Sequence, residues 1–360
     1  MSVRVLHIVT YMGLGGLETM IMNYYRHIDR SKIQFDFLAH RNFQAEYDNE
    51  IEALGGHIYR IPPLNPFSFK YFRALETFFS KHHYNIVHSH LDCLSAYPLK
   101  IAQKYGVKTR IAHAHSKNED HNVKYLIKAY SKYLISLYAT DFFACSQEAG
   151  KWMFPGHRFK VLNNAIDAKQ YIYNPEKEQC MKSKLGIQNK FVLGHVGRFS
   201  PQKNHKFLID VFQSVEKLEK NVVLILVGTG DGKSEIEDKV RKLGLKDKVI
   251  FLGARKDIPD VLQALDVFVF PSLNEGLGIA AVEAQAAGLP CILSDQIPKE
   301  CRLTENVEVL SLEDSPLKWA NHILTYLGSE KKNEFSAICK AGFDIKDNAK
   351  QLEEFYLSRG

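Results

Sequence analysis

Short runs of β-branched and aromatic residues alternate with stretches of helical periodicity along most of this chain. VRVLHIV (3–9), a glycine-rich turn and ETMIMNYYRHI (18–28) read strand, turn, helix. IQFDFLAH (33–40), HIYRI (57–61), NIVHSH (85–90), RIAHAH (110–115) and FFACS (142–146) read as further strands. Residues 163–189, NNAIDAKQYIYNPEKEQCMKSKLGIQN, are polar and interrupted and read as a linker. A second alternation follows: FVLGHVG (191–197), VVLILVG (222–228), VIFLG (249–253), VFVFPS (267–272) and CILSD (291–295) are strands. The stretches between them, 207–218, 235–244, 257–266 and 278–288, carry helical patterns, and the tail from 315 onward is helical too. Alternation of this kind predicts βαβ units and parallel sheets covered by helices on both faces, the α/β class. Two doubly wound, Rossmann-like domains in tandem are expected, with a boundary near 168 and ligands held beyond the carboxyl ends of the strands.

Size and composition agree with this pattern. A chain of 360 residues exceeds the roughly 250–300 at which one hydrophobic core stops growing. No apolar run approaches the ~20 residues needed to cross a bilayer, and the N-terminus reads as a first strand, not a signal peptide. The six cysteines are scattered without metal-knuckle or redox spacing, which fits reduced thiols in the cytoplasm. The net charge of +6 is uneven: residues 1–165 hold 20 Lys/Arg against 13 Asp/Glu, and 12 of the 15 histidines. An anionic partner for that half is implied, but the excess is too mild for nucleic acid.

Several motifs carry chemistry. GLGGLE (13–18) follows the first strand and opens a helix, where Gly15 and Gly16 let backbone N–H groups approach an anion. It departs from the dinucleotide fingerprint because Glu18 stands at the third glycine position, although Asp36 lies at the distance of a ribose-binding acid. VGTGDGKS (227–234) imitates a Walker A loop but has three residues between Gly228 and Gly232 where four are needed. Arg198 and Lys203, in HVGRFSPQKNH, could together neutralise a diphosphate or be two solvated loop cations. His-x-His pairs at 88/90 and 113/115 end two strands; each pair points one way, compatible with metal or with hydrogen bonding at a catalytic edge. A third ligand is not evident from sequence, so no metal is expected.

Two stretches suit an anionic membrane surface. LNPFSFKYFRALETFFSKHH (64–83) interleaves aromatics with cations, and 122–138 sets Lys124, Lys128 and Lys132 on one helical face. Surface helices packed on their own domain are the plain alternative.

The most informative stretch is NEGLGIAAVEAQAAGLP (274–290), with two acids in a run of Gly, Ala and aliphatics. Eight positions turn a helix by about 800°, about 80° off register, so Glu275 and Glu283 would not stack on one helix. With Glu275 in the preceding loop and Glu283 inside the helix, both reach one cleft, and the helix start offers N–H groups to a phosphate. A carboxylate accepts two hydroxyls at once, so the stretch describes a clamp for a nucleotide sugar.

At this point the residues resemble a known family. Gly15-Gly16-x-Glu18, Gly197-Arg198 with Lys203, and Glu275-x7-Glu283, with NNAID (163–167) and FLGARKDIPDVL (251–262), resemble the retaining GT-B glycosyltransferases of the large family four. The likeness spans essentially the whole chain and is nearest in look to bacterial exopolysaccharide and capsule enzymes. It implies a GT-B fold: an acceptor-side domain (1–168), a donor domain (169–344) and a C-terminal helix (345–360) crossing back. It implies that Arg198 and Lys203 bind the donor diphosphate, Glu283 the ribose and Glu275 the transferred sugar. Gly278 and Ile279 would meet phosphate through backbone, Gly15 and Gly16 would cap it, His115 would lie near the donor sugar, and the Arg255 loop would hold the base. The implied reaction moves a hexosyl unit from a nucleoside-diphosphate sugar, a UDP-sugar, to a saccharide or lipid-linked saccharide with retention, without metal or cofactor. Peripheral contact with the inner face of the cell membrane is part of that expectation. Two departures stand out: Leu277-Gly278 where the family often has Phe/Leu-Pro, and Ala165 in place of the glycine of Asn-Gly. A nucleotide-sugar epimerase of GT-B type and a non-catalytic donor-binding subunit are the alternatives.

Overall fold

The computed structural model describes residues 2–115 and 124–360. They form two compact units, Met1–Ile166 with Ile345–Gly360, and Asp167–Asp344. Each is built on one parallel sheet.

The first unit's strands are β1 (Val3–Val9), β2 (Ile33–Ala39), β3 (Ile58–Arg60), β4 (Ile86–Ser89), β5 (Thr109–Ala114), β6 (Asp141–Ala144) and β7 (Lys160–Val161). Their order in the sheet is β3-β2-β1-β4-β5-β6-β7. The order reverses between β1 and β4, whose register sets His7 opposite His88. β1 and β2 are buried on both faces, which is why they read as near-continuous apolar runs. On one face, Val5, Val9, Phe35 and Phe37 pack with Tyr24, Leu352 and Tyr356 from helices Gly16–His27 and Ile345–Leu357. On the other, Leu6, Ile8 and Val87 pack with Leu75, Phe79 and Leu99. The last helix thus belongs to the first unit although its sequence follows the second.

The second unit holds β8 (Phe191–Val196), β9 (Val222–Val227), β10 (Val249–Gly253), β11 (Val267–Phe270), β12 (Cys291–Ser294) and β13 (Val307–Leu310), in the order β10-β9-β8-β11-β12-β13. Its reversal lies between β8 and β11, paired through Val267–Leu193 and Phe268–Gly194. Leu193, Leu224 and Val269 form one core with Leu208, Phe212 and Trp319.

The linker expected at 163–189 is instead largely helical, with turns at Ala168–Tyr171 and Pro175–Lys184. Asn174 caps the second by accepting from the N–H groups of Glu176 and Lys177, and Pro175 takes the first helical position, where its missing N–H costs nothing. Only Met181 of that helix is buried, so it has no apolar stripe for a periodicity reading to find. The strands β7 and β13 also escaped the pattern: both residues of β7 are exposed, and β13 buries only Leu310.

Candidate functional site

In open parallel sheets, ligands bind at the carboxyl ends of strands where the strand order reverses. In the second unit that point lies after β8 and β11, and both candidate segments begin there.

After β8 the chain runs through Gly197 and the exposed Arg198 to a short turn, Pro201–Lys203. After β11 it runs through Pro271 and Ser272 to Glu275, then Gly278 and the helix Ile279–Ala286. The two segments are tied together: Leu273 N–H donates to the Gln202 carbonyl (2.8 Å), and Gln202 Nε2 donates to the Asn274 carbonyl (2.5 Å). Lys203 Nζ then reaches Glu275 Oε1 at 2.5 Å and sits 4.7 Å from the centre of the Phe270 ring. Lysine and glutamate are both largely buried, so each neutralises a charge that burial alone would make costly.

Gly278 has φ +89°, a left-handed conformation, and a Cβ there would lie 3.3 Å from Phe270. This turn ends the loop that carries Glu275 and starts the helix that carries Glu283, so the two acids belong to different elements, as their spacing predicts. Glu283 is buried and accepts a hydrogen bond from Tyr171 Oη at 2.8 Å. Burial pushes its carboxyl up to about 7, with the Tyr171 bond acting the other way. Arg255 is held by a two-pronged contact to Asp257 (2.8 and 2.6 Å).

Sequence reasoning missed three participants. Tyr171 lay in the supposed linker. Phe270 was read only as strand. Gln285, fully buried two positions after Glu283, accepts from Leu303 N–H (2.8 Å) and donates to the Cys301 carbonyl (2.7 Å), pinning the helix from behind. A buried amide in an apolar helix needs such partners, and that was a legible signal.

The Walker-like stretch has a packing explanation. Gly228, at φ +139°, passes so close to the Gly197 carbonyl that a side chain would collide with it, and Gly230 packs in the same way on Phe199. These glycines let the β9 turn lie against the β8 loop.

The first unit's strand ends are different. Gly15 caps Gly16–His27, and the Glu18 carboxylate folds back over the space a Gly15 side chain would need. Asp36 is committed to Arg4 (2.7 Å from Nε), His57 N–H (2.8 Å) and Tyr84 Oη (2.9 Å), so it is not a free ribose-binding acid. His115, partly buried, joins the buried His7, His88, His90 and His113. His7 Nδ1 contacts His90 Nε2 (2.9 Å), and His90 Nδ1 contacts His115 Nε2 (2.9 Å). His88 links Tyr356 Oη (2.6 Å) to His113 Nδ1 (3.0 Å). Desolvation holds His7 and His115 down at about 3 and the other three well below the usual histidine range, so all five rings are neutral.

The proposed membrane stretches also resolve. Phe67 and Phe69 are 79% and 80% exposed beside Lys70 and Arg73. On helix Lys124–Tyr138 the outward residues are Tyr130, Tyr133 and Leu137, whereas Lys132 lies over the Trp152 ring at 4.4 Å. The expected lysine face is therefore not the outward one at Lys132; residues 116–123 and the Lys124 side chain lie outside the described residues. No helix among the described residues is long and apolar enough to cross a membrane.

Comparison with known proteins agrees with this architecture. Residues 14–170 match the model described as Glycosyltransferase Family 4, and 177–337 match that for Glycosyl transferases group 1. A Bacillus subtilis (strain 168) protein named as the glycosyltransferase EpsF is 34% identical, over 98% of this chain and 96% of its own. The Staphylococcus aureus capsular polysaccharide biosynthesis glycosyltransferase CapH is 27% identical over 99% of both. Among solved structures, Anabaena Alr3699/HepE in complex with UDP and glucose superposes with a TM-score of 0.82 at 22% identity, covering 98% of this chain and 99% of that one. The chain belongs to the family-four glycosyltransferases of GT-B fold, alongside bacterial exopolysaccharide and capsule enzymes.

Proposed function

We propose that this glycosyltransferase moves a hexosyl unit from a UDP-sugar to a saccharide or lipid-linked saccharide, with retention of configuration. The observation that carries the reading is the Lys203–Glu275 pair beside the start of helix Ile279–Ala286, at the switch point of the second sheet. A cation, a carboxylate and free helix N–H groups at one place suit a diphosphate joined to a polyol. HepE, solved with UDP and glucose, supports the donor class by analogy.

In this reading Arg198 and Lys203 take the diphosphate, with the N–H groups of Gly278 and Ile279. Glu275 accepts hydroxyls of the sugar, Glu283 those of the ribose, and the Arg255 loop meets the base. The bond from the anomeric carbon to the diphosphate oxygen breaks and a bond to the acceptor oxygen forms on the same face. The acceptor proton passes to the departing phosphate, so no metal or protein base is invoked; fixed cations and helix N–H groups stabilise the charge that develops. Gly15, Gly16 and His115 are the first unit's donor-binding candidates. Phe67 and Phe69 with Lys70 and Arg73 form the proposed contact with anionic lipid, which fits a lipid-linked acceptor.

The test is release of UDP from UDP-sugars, with and without lipid-linked acceptors, in wild type and in Lys203→Ala and Glu275→Ala. Turnover lost in both variants supports the reading. A thermal shift with GDP-sugars only would overturn the donor assignment, and absence of turnover with every donor and acceptor would favour a non-catalytic subunit.

A further inference from the structure

In the donor reading Glu283 meets the ribose, but nothing on its own helix can aim it. Several torsions separate the carboxyl from the backbone, and its neighbours one turn away, Ile279, Ala280, Ala286 and Ala287, are all apolar. The aim comes from elsewhere in the second unit. Tyr171 Oη donates to Glu283 Oε1 at 2.8 Å. The other oxygen, Oε2, has no partner among the described residues and is not sealed from solvent. The two oxygens are thus unlike, one held inside and one open. A pair formed only to satisfy two buried groups would have no reason to leave half of the carboxyl open.

Tyr171 is itself fixed. It is buried at the end of helix Ala168–Tyr171, and its carbonyl accepts from Gln263 Nε2 at 3.1 Å. Gln263, fully buried at the end of helix Ile258–Gln263, also accepts from Asn174 N–H at 2.8 Å. One amide therefore clamps the chain on both sides of Ile172 and Tyr173, and the phenol is carried on a rigid support.

We propose that Tyr171 is a positioning residue for ribose recognition: it holds Glu283 Oε1 inward and so presents Oε2 to the ribose hydroxyls of the donor. This role presupposes the ribose assignment of Glu283, but not the base or the transferred sugar. An ionised carboxylate has about four lone-pair sites; Tyr171 takes one, and Oε2 keeps both of its own for a diol. The same bond favours the charged form, because a hydroxyl donates more strongly to a carboxylate than to a neutral acid. Burial works against that charge and Tyr171 works for it. Lys169 shares the short helix of Tyr171, and Cys291, Lys299, Glu300, Cys301, Cys339 and Lys340 stand on other elements packed against helix Ile279–Ala286. None of these acts on the Glu283 carboxyl, which leaves Tyr171 as the group that does.

Calorimetry on the full chain measures the affinity for UDP-glucose and for its 2′,3′-dideoxyribose counterpart between about pH 5.5 and 8.5. ADP- and GDP-glucose, which carry the same ribose, take its place if wild type binds only those. Wild-type affinity for the ribose nucleotide is expected to weaken as pH falls below about 7, and the dideoxy nucleotide to lack this slope. In Tyr171→Phe the ribose nucleotide should bind about tenfold more weakly at neutral pH, with the fall starting at higher pH and the dideoxy nucleotide bound as before. A merely structural phenol would weaken both nucleotides alike and leave the slope in place, and that result overturns the proposal. If circular dichroism shows that Tyr171→Phe does not fold, Tyr171→Phe/Glu283→Gln is compared with Glu283→Gln. Equal affinity for the ribose nucleotide supports a role exerted through Glu283, and a further tenfold loss overturns it. Unchanged binding by folded Tyr171→Phe at every pH overturns this role alone, whereas a folded wild type that binds no nucleotide sugar overturns the donor reading and this role together.

Discussion

The same structural position, the carboxyl ends of strands at the reversal of a parallel sheet, is filled in opposite ways in the two units. In the second unit it carries one ion pair, Lys203 on Glu275, with Arg198 exposed nearby in sequence. In the first it carries five rings that are neutral because burial strips their protons. Paired charges can be shared with a charged ligand by rearranging partners, whereas neutral lone pairs can only accept a hydrogen or a metal. The paired charges suit the charged donor proposed above, and the neutral rings do not.

The sharpest way to break this comparison is to unpair the charges. Glu275→Ala strands a buried lysine, which typically costs 3–5 kcal/mol. The expected result is a large drop in unfolding temperature together with loss of UDP release. The double variant Glu275→Ala/Lys203→Met should recover a substantial part of the stability and none of the activity. Equal stability in the single and double variants would show that the pair is not the electrostatic unit described.

Next in size is the pH dependence of Glu283, the one acid in the second site that behaves more like the first unit's histidines. Its folded value, about 7, lies above the ordinary carboxyl value of 4.5. Protonated Glu283 is therefore favoured by folding: the contribution is complete below about pH 4.5 and is lost as pH rises through 7, roughly 3 kcal/mol in all. Glu283→Gln should remove this slope in chemical denaturation between pH 5 and 8. Donor binding should run the other way. A diol is held best by the carboxylate, so UDP-sugar affinity should weaken by up to tenfold per pH unit as pH falls below about 7, and this slope too should vanish in Glu283→Gln.

Much of this was legible in the sequence, for identifiable reasons. Apolar runs such as VVLILV and VFVF mark buried parallel strands whatever surrounds them, and the acids at 275 and 283 stand out because their neighbours are Gly, Ala and aliphatics. The helix Pro175–Lys184 was not legible because it buries one residue and leaves its polar surface to solvent. Tyr171 was hidden for a related reason: its hydroxyl meets Glu283, 112 positions away. The histidine group shows the same limit. His-x-His announces that two rings share a face, but His7 and the second pair join it only through the strand order β1-β4-β5.

The smaller effects compare the two glycine turns that follow the site strands. Gly278 needs its left-handed backbone, so Gly278→Ala should cost about 1–2 kcal/mol and shift the helix start that the donor phosphate is proposed to use. Gly15 has an ordinary φ of −104°, and what crowds it is the end of the flexible Glu18 side chain, not backbone. Gly15→Ala should therefore cost less than Gly278→Ala, because only a side-chain end has to give way there, whereas Gly278 would lose its backbone conformation. Thermal unfolding checks both, and the order of the two losses is the point at issue. If Gly15→Ala proved the more damaging, the Glu18 carboxylate would be the more rigid of the two neighbours, and the first unit's strand end would hold a built charge as the second does.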